Sequence, residues 1–454
     1  MAADETPTLT SPGVVDTVAS SSRTVAAAPW AERLTWLLAW GTKGGLAVTD
    51  QALFAGAQFA LNIMLARWLD PEDYGAFAVA YAVFLLAAAV HTALLIEPMI
   101  VFGSGRYLGN RRSYLGIVLR GHWLLTVPSG LVLLGVGFAV RRWYSPPVGH
   151  ALSALGVALP LILLTWLTRR AFYIELQPGR AAAGGAIFLC GLLALLWWLH
   201  AEEMLTPGTA ILATGVASLI AAGLHLVWLR PERFQEAKKL GPAEVASEHW
   251  AYGRWVLAAV LPSWTLLNFY YVVLPVWFGL KQAGELKAIM NLSMPAIHSL
   301  IAFGVLMIPL FVRHLEVGGR RLMRQTVRRV TSVFVAGAGA YFVLLWFFRI
   351  QIIHLLYGGK YVEDSGLPVC LVGLAPIATA LTVSFGVALR AFERADYLFW
   401  ANVAASAIAI TLGLWLAASW GVLGATAGYV ASYSVFAGAS WFFYRKLLLE
   451  GSSA

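Results

Sequence analysis

Charge is what this chain has least of. Lys, Arg, Asp and Glu make up 12% of its 454 residues, about half the share usual in soluble domains. Cysteine is nearly absent. Cys190 and Cys370 lie in separate apolar runs with no second thiol nearby, so neither a disulfide nor a metal site is expected. No Walker loop or other nucleotide motif is present, and no cofactor is expected. No gap between the apolar runs has room for a folded soluble domain. No apolar run follows a basic start near Met1, so no signal peptide is expected and the first membrane span serves as the insertion signal.

Hydrophobic residues account for 59%, and they are gathered into long runs. These fall at 46–66, 75–101, 121–140, 149–168, 181–199, 208–229, 255–280, 288–312, 330–348, 366–389, 397–418 and 421–444. Each is long enough to cross about 30 Å of hydrocarbon as a helix. The basic residues alternate across the gaps. Of 32 Lys and Arg, 25 fall on the side of the N-terminal tail, and the other side has only Arg67, Arg141, Arg142, Lys281, Lys287, Arg349 and Lys360. Cytoplasmic loops keep their Lys and Arg, so both termini are expected in the cytoplasm. A net charge of +9 would suit a nucleic-acid partner, but these charges sit in short loops. Topology and contact with anionic membrane lipids explain them better, and no nucleic acid is expected.

The first 29 residues, rich in Ala, Ser, Thr and Pro, read as a disordered tail. Residues 30–40, with Trp30, Trp36 and Trp40, are too short to span and suit a helix in the interface. The expected organisation is therefore a tail and interfacial helix over 1–44, one bundle over 45–230 and a polar linker over 231–252. A second bundle follows over 253–446, with a short tail after it.

The halves repeat each other. Trp68 to Gly75, closing the first span and opening the second, matches Trp277 to Gly284 at an offset of 209. At the same offset Gly109-Asn110-Arg111-Arg112 matches Gly318-Gly319-Arg320-Arg321, and Arg120 matches Arg329. Arg170-Ala171-Phe172 returns as Arg390-Ala391-Phe392 at an offset of 220, which places the extra residues in the loop around Tyr357–Asp364. Six spans per half insert both halves with one orientation, related by a pseudo-two-fold along the membrane normal. The expected fold is an all-α integral membrane protein, twelve transmembrane helices in two six-helix bundles (parallel 6+6 repeats) around a central cavity.

The segment Asp50-Gln-Ala-Leu-Phe-Ala-Gly-Ala-Gln-Phe-Ala-Leu-Asn62, running into Leu65-Ala-Arg-Trp-Leu69 and Tyr74-Gly-Ala-Phe77, resembles the opening of the oligosaccharide (polysaccharide) flippases. These belong to the multidrug/oligosaccharidyl-lipid/polysaccharide exporter superfamily. Arg169 to Tyr173 and Leu356 to Tyr361 are similar to family patterns too, and the resemblance covers residues 40–446. It implies an exporter that carries a polyprenyl-pyrophosphate-linked oligosaccharide to the outer leaflet of a bacterial cell membrane. Its partners would be the lipid-linked glycan, membrane lipids and other polysaccharide-assembly proteins, and its transporter unit a monomer.

Polar groups at membrane depth are costly and become functional candidates. Asp50, Gln58 and Asn62 share a face of the first span, and Asn268 and Asn291 lie mid-span in the second half. Arg170, Arg254 and Arg390 sit at inner helix ends, where a guanidinium can hold a pyrophosphate in two-pronged fashion. Against that stands a plain anchoring role. Asp50, His91, Glu97 and His298 are the candidates for coupling to an ion gradient, against readings as capping, solvated or packing groups. Three other functions fit less well. An exporter of small organic cations would want an acidic pair in the cavity, and a membrane glycan polymerase or glycosyltransferase would need acids on a substantial outer domain. In the first outer loop, Asp70, Glu72 and Asp73 surround Pro71 and read as a helix start. A scaffold without transport would not need polar residues in several spans.

Overall fold

The computed structural model describes residues 30–232, 240–361 and 366–450. The expected tail over 1–29 and residues 233–239 of the expected linker lie outside them. All regular structure among the described residues is helical. Helix α1 (Trp30–Trp68) is followed by α2 (Pro71–His91), which passes through a π-turn (Thr92–Ile96) into α3 (Glu97–Ser104). Then come α4 (Arg111–Trp143), α5 (Pro146–Ile174), α6 (Pro178–Ala201) and α7 (Pro207–Leu229). The second half has α8 (Pro242–Phe278), α9 (Leu280–Asn291), α10 (Met294–Phe347), α11 (Arg349–Tyr357) and α12 (Gly366–Ala391). It closes with α13 (Ala395–Ile408), a second π-turn (Ala409–Gly413) and α14 (Leu414–Leu449). Proline opens α2, α5, α6, α7 and α8, where its missing N–H costs nothing. At the start of α2, Glu72 and Asp73 add acidic charge to the positive end of the helix.

Nine helices are long and apolar enough to cross a membrane among the described residues. Two of these are hairpins. Within α10 the backbone at Gly319 turns to φ 55°, ψ −157°, and His314 Nδ1 then lies 2.7 Å from Thr326 Oγ1. In a straight helix those residues would be about 18 Å apart. The second break, at Trp420 and Gly421, reverses the chain in the same way between α13 and the rest of α14. Each hairpin supplies two crossings, and α1, whose Asp, Gln and Asn lower its hydropathy, supplies the twelfth. The expected eighth span is longer than its apolar run, because α9 starts it at Leu280 and a short break at Leu292–Ser293 joins it to α10.

In the first bundle α5 packs between α4 and α7, and in the second α12 packs between α10 and α14. That is the same arrangement in both repeats. The halves meet through a narrower set of elements: α2 against α9 and α8, the π-turn and α3 against α8, and the end of α1 against α9 and α11. The face of the molecule carrying Trp30 and Leu449 is called the near face below, and the one carrying Trp68 and Pro71 the far face.

Candidate functional site

Near the far face α2 and α9 cross at glycine. A Cβ on Gly75 would stand 1.9 Å from the Leu280 carbonyl oxygen, and one on Gly284 would stand 2.2 Å from that of Pro71. Only residues without side chains let the two backbones approach this closely. From this crossing a polar ladder runs deeper along the junction of the halves. Asn291 Nδ2 donates to Tyr74 Oη at 2.8 Å, and Tyr74 Oη donates to Asn62 Oδ1 at 3.4 Å. Asn62 Nδ2 donates to the Gln58 carbonyl at 2.7 Å, and Tyr81 Oη to Gln58 Oε1 at 3.1 Å. Three of the sequence candidates, Gln58, Asn62 and Asn291, are thus brought together with two tyrosines. A buried network whose members satisfy each other fixes one arrangement of the helices it joins.

Lys287 stands beside this ladder. It is 7% exposed, and its Nζ lies 4.5 Å from the centroid of the Tyr81 ring and 5.1 Å from that of Tyr271. No carboxylate among the described residues pairs with it. Taking an ammonium out of water costs several kcal/mol. A desolvated cation–π contact returns about 2 kcal/mol, so two tyrosine faces leave the charge undercompensated. In the sequence Lys287 falls among the loop charges, one residue before the apolar run over 288–312. The available signal was its spacing: Gly284, Lys287 and Asn291 recur at three and four residues, one face of a helix.

A second polar cluster lies inside the first bundle. Asp50 is fully buried on α1. Its Oδ1 accepts from Arg169 Nε at 2.8 Å and its Oδ2 from Tyr173 Oη at 2.5 Å. The Arg169 guanidinium also covers the Phe54 ring at 4.3 Å, and its Nη2 is buried without a hydrogen-bond partner. On the residue before Arg169, Thr168 Oγ1 lies 3.1 Å from His225 Nδ1. Asp50 therefore faces α5 and α6 of its own half, whereas Gln58 and Asn62 on the same helix face α2. Of the adjacent pair Arg169 and Arg170, the first is sealed in this ion pair. The second is half-buried, with its guanidinium 5.7 Å from the Tyr173 ring.

The other candidates are dispersed. His91 is buried at the start of the π-turn, its Nε2 3.0 Å from Nδ1 of buried His122 on α4. Glu97 is half-buried on α3, and His298 is exposed on α10. Asn268 is buried on α8, and no hydrogen bond joins it to the ladder. Arg254 and Arg390 are both exposed, on α8 and at the end of α12, and Arg254 lies 5.4 Å from the Trp255 ring.

No protein-family model matches the sequence, and no curated protein does. Solved structures do. An inward-facing multidrug resistance MATE family transporter of the MOP superfamily matches with a TM-score of 0.76 at 13% identity, over 90% of this chain and 100% of that one. The lipid II flippase MurJ, in an inward closed conformation, matches with a TM-score of 0.68 at 10% identity, over 88% and 87%. A MOP superfamily transporter from Pyrococcus furiosus, described with a binding pocket of reverse polarity, matches with a TM-score of 0.62 at 11% identity, over 89% and 94%. These neighbours are transporters and a flippase, not enzymes. The two bundles joined at the Gly75–Gly284 crossing have the fold of the transporters of the MOP superfamily.

Proposed function

We propose that this protein is a flippase for an anionic lipid-linked oligosaccharide. It would carry a polyprenyl-pyrophosphate-linked glycan from the cytoplasmic to the outer leaflet of a bacterial cell membrane, for cell-surface polysaccharide synthesis. The near face would then be cytoplasmic, an orientation that the Lys and Arg distribution supports. The observation that carries the reading is Lys287, a buried cation without a carboxylate, placed where the halves meet. A pyrophosphate would complete its charge balance, and the amides and phenols of Gln58, Asn62, Asn291 and Tyr74 offer partners for sugar hydroxyls. Alternating access follows from the build. The far face is closed by one crossing and its ladder, and rocking the bundles so that these part while the near side closes would expose the site to each side in turn.

Export of small organic cations is the second reading, favoured by Asp50, a carboxylate at membrane depth. Its charge is already balanced by Arg169. At the junction of the halves an incoming cation would meet Lys287, at a cost of about 4 kcal/mol for 4 Å and an effective dielectric of 20. The anionic substrate wins on charge. Coupling to an ion gradient would act through Asp50 in its ion pair or through the His91–His122 pair. The test is a leaflet assay, with purified protein in liposomes and a fluorescent polyprenyl-pyrophosphate glycan probed for exposure on the opposite face. Exposure supports the flippase. Export of organic cations without any glycan exposure would replace it with the second reading.

A further inference from the structure

The repeat is broken at one place, and the break has a shape. In the first half α4 and α5 are joined by Tyr144 and Ser145, whose N–H groups bond back to Val140 at the end of α4. The equivalent connection in the second half carries an added helix, α11, and a turn through Tyr361. This addition does not stay with its own bundle. Arg67 Nη1, at the end of α1 in the first half, donates to the Leu355 carbonyl at 2.8 Å. In the opposite direction Lys360 Nζ donates to the Leu69 carbonyl at 2.8 Å, and Tyr361 Oη to that of Ala66 at 3.5 Å. Tyr357, fully buried, donates to the Ala288 carbonyl on α9 at 2.8 Å.

The two cations therefore cross between the halves in opposite directions, and each ends on the closing turn of the other half's helix. Carbonyls there lack intrahelical donors and carry the negative end of the helix dipole. Without a cation on each, the ends of α1 and α11 would bring two negative poles together.

We propose that residues 349–361 form a strap that locks the far face closed, and that Arg67 and Lys360 are its two fasteners. Opening the far face moves α1 away from α9, and both bonds must break before it can do so. The strap is an addition to a two-fold symmetric fold, and its action does not depend on what is carried.

The test reads the far face directly. Cys190 and Cys370 are first replaced by serine, and Ala288→Cys, buried beneath Tyr357, serves as reporter in protein held in lipid nanodiscs. Labelling by a membrane-impermeant maleimide is expected to rise at least threefold in Arg67→Gln/Lys360→Gln. It should return to the starting rate in Arg67→Lys/Lys360→Arg, which keeps both charges. Ala221→Cys, buried in the core of the first bundle, should label no faster in any of them. Unchanged labelling at Ala288→Cys, or an equal rise at Ala221→Cys, would overturn the strap. Should the double variant not accumulate, Lys360→Gln alone is expected to give a smaller rise at the same reporter, and no rise there would also overturn it.

Discussion

Gly75 on α2 and Gly284 on α9 occupy equivalent places on the two sides of one helix crossing. Each faces the residue four positions before the other, Leu280 for Gly75 and Pro71 for Gly284, and these two are themselves repeat-related. The pseudo-two-fold axis therefore passes through this contact. At this crossing the backbones of the two halves lie close together.

A methyl group at either glycine has nowhere to go, because its neighbour is backbone. Gly75→Ala and Gly284→Ala are each expected to destabilise the protein by about 1–3 kcal/mol, the usual cost of overpacking. Symmetry requires the two losses to be similar. Gly56→Ala, inside α1 with nothing within 4 Å of its Cβ, should cost nothing and add up to about 1 kcal/mol of helix stability. Thermal unfolding in detergent checks all three.

Asp50 and Arg169 are expected to act as a pair. Asp50→Asn alone leaves the guanidinium buried and uncompensated, and a loss of about 3–5 kcal/mol should follow. Asp50→Asn/Arg169→Gln removes both charges and should recover most of it, giving a large coupling energy in a double-mutant cycle. Transport by the double variant then separates the roles. A stable protein that no longer flips glycan assigns coupling to the pair, and one that flips normally makes the pair structural.

Tyr81 holds two partners with different parts of its side chain. Tyr81→Phe removes only the bond to Gln58 and should cost about 1 kcal/mol. The ring, and with it the contact to Lys287, stays. Tyr81→Leu removes both, and glycan-lipid flipping should fall further than stability does. Flipping rates at matched abundance, beside unfolding midpoints, distinguish these outcomes.

The repeat was legible because equivalent contacts select the same residue types. Glycine is needed on both sides of the α2–α9 crossing, and Gly318-Gly319 permits the sharp turn inside α10. The ladder was legible for a related reason, since Gln58, Asn62 and Asn291 stand out in apolar runs. Lys287 was not. Positive charge was used to find loops, and a lysine seven residues inside a helix was counted with them. Arg169 was hidden in the same way beside Arg170, because two adjacent arginines point in different directions and sequence does not say which faces inward. Nor did it show that Asp50 and Gln58, on one helix, face different neighbours, α5 for the one and α2 for the other. That depends on where α2 and α5 pack, which is a tertiary fact.

The central claim, an anionic substrate received by Lys287, is tested most directly by the leaflet assay on Lys287→Met. The methionine keeps the length and apolar stem of the side chain and removes its charge. At normal abundance and unchanged unfolding midpoint, exposure of a polyprenyl-pyrophosphate glycan is expected to fall at least tenfold, with partial recovery in Lys287→Arg. Wild-type flipping by Lys287→Met would contradict the account.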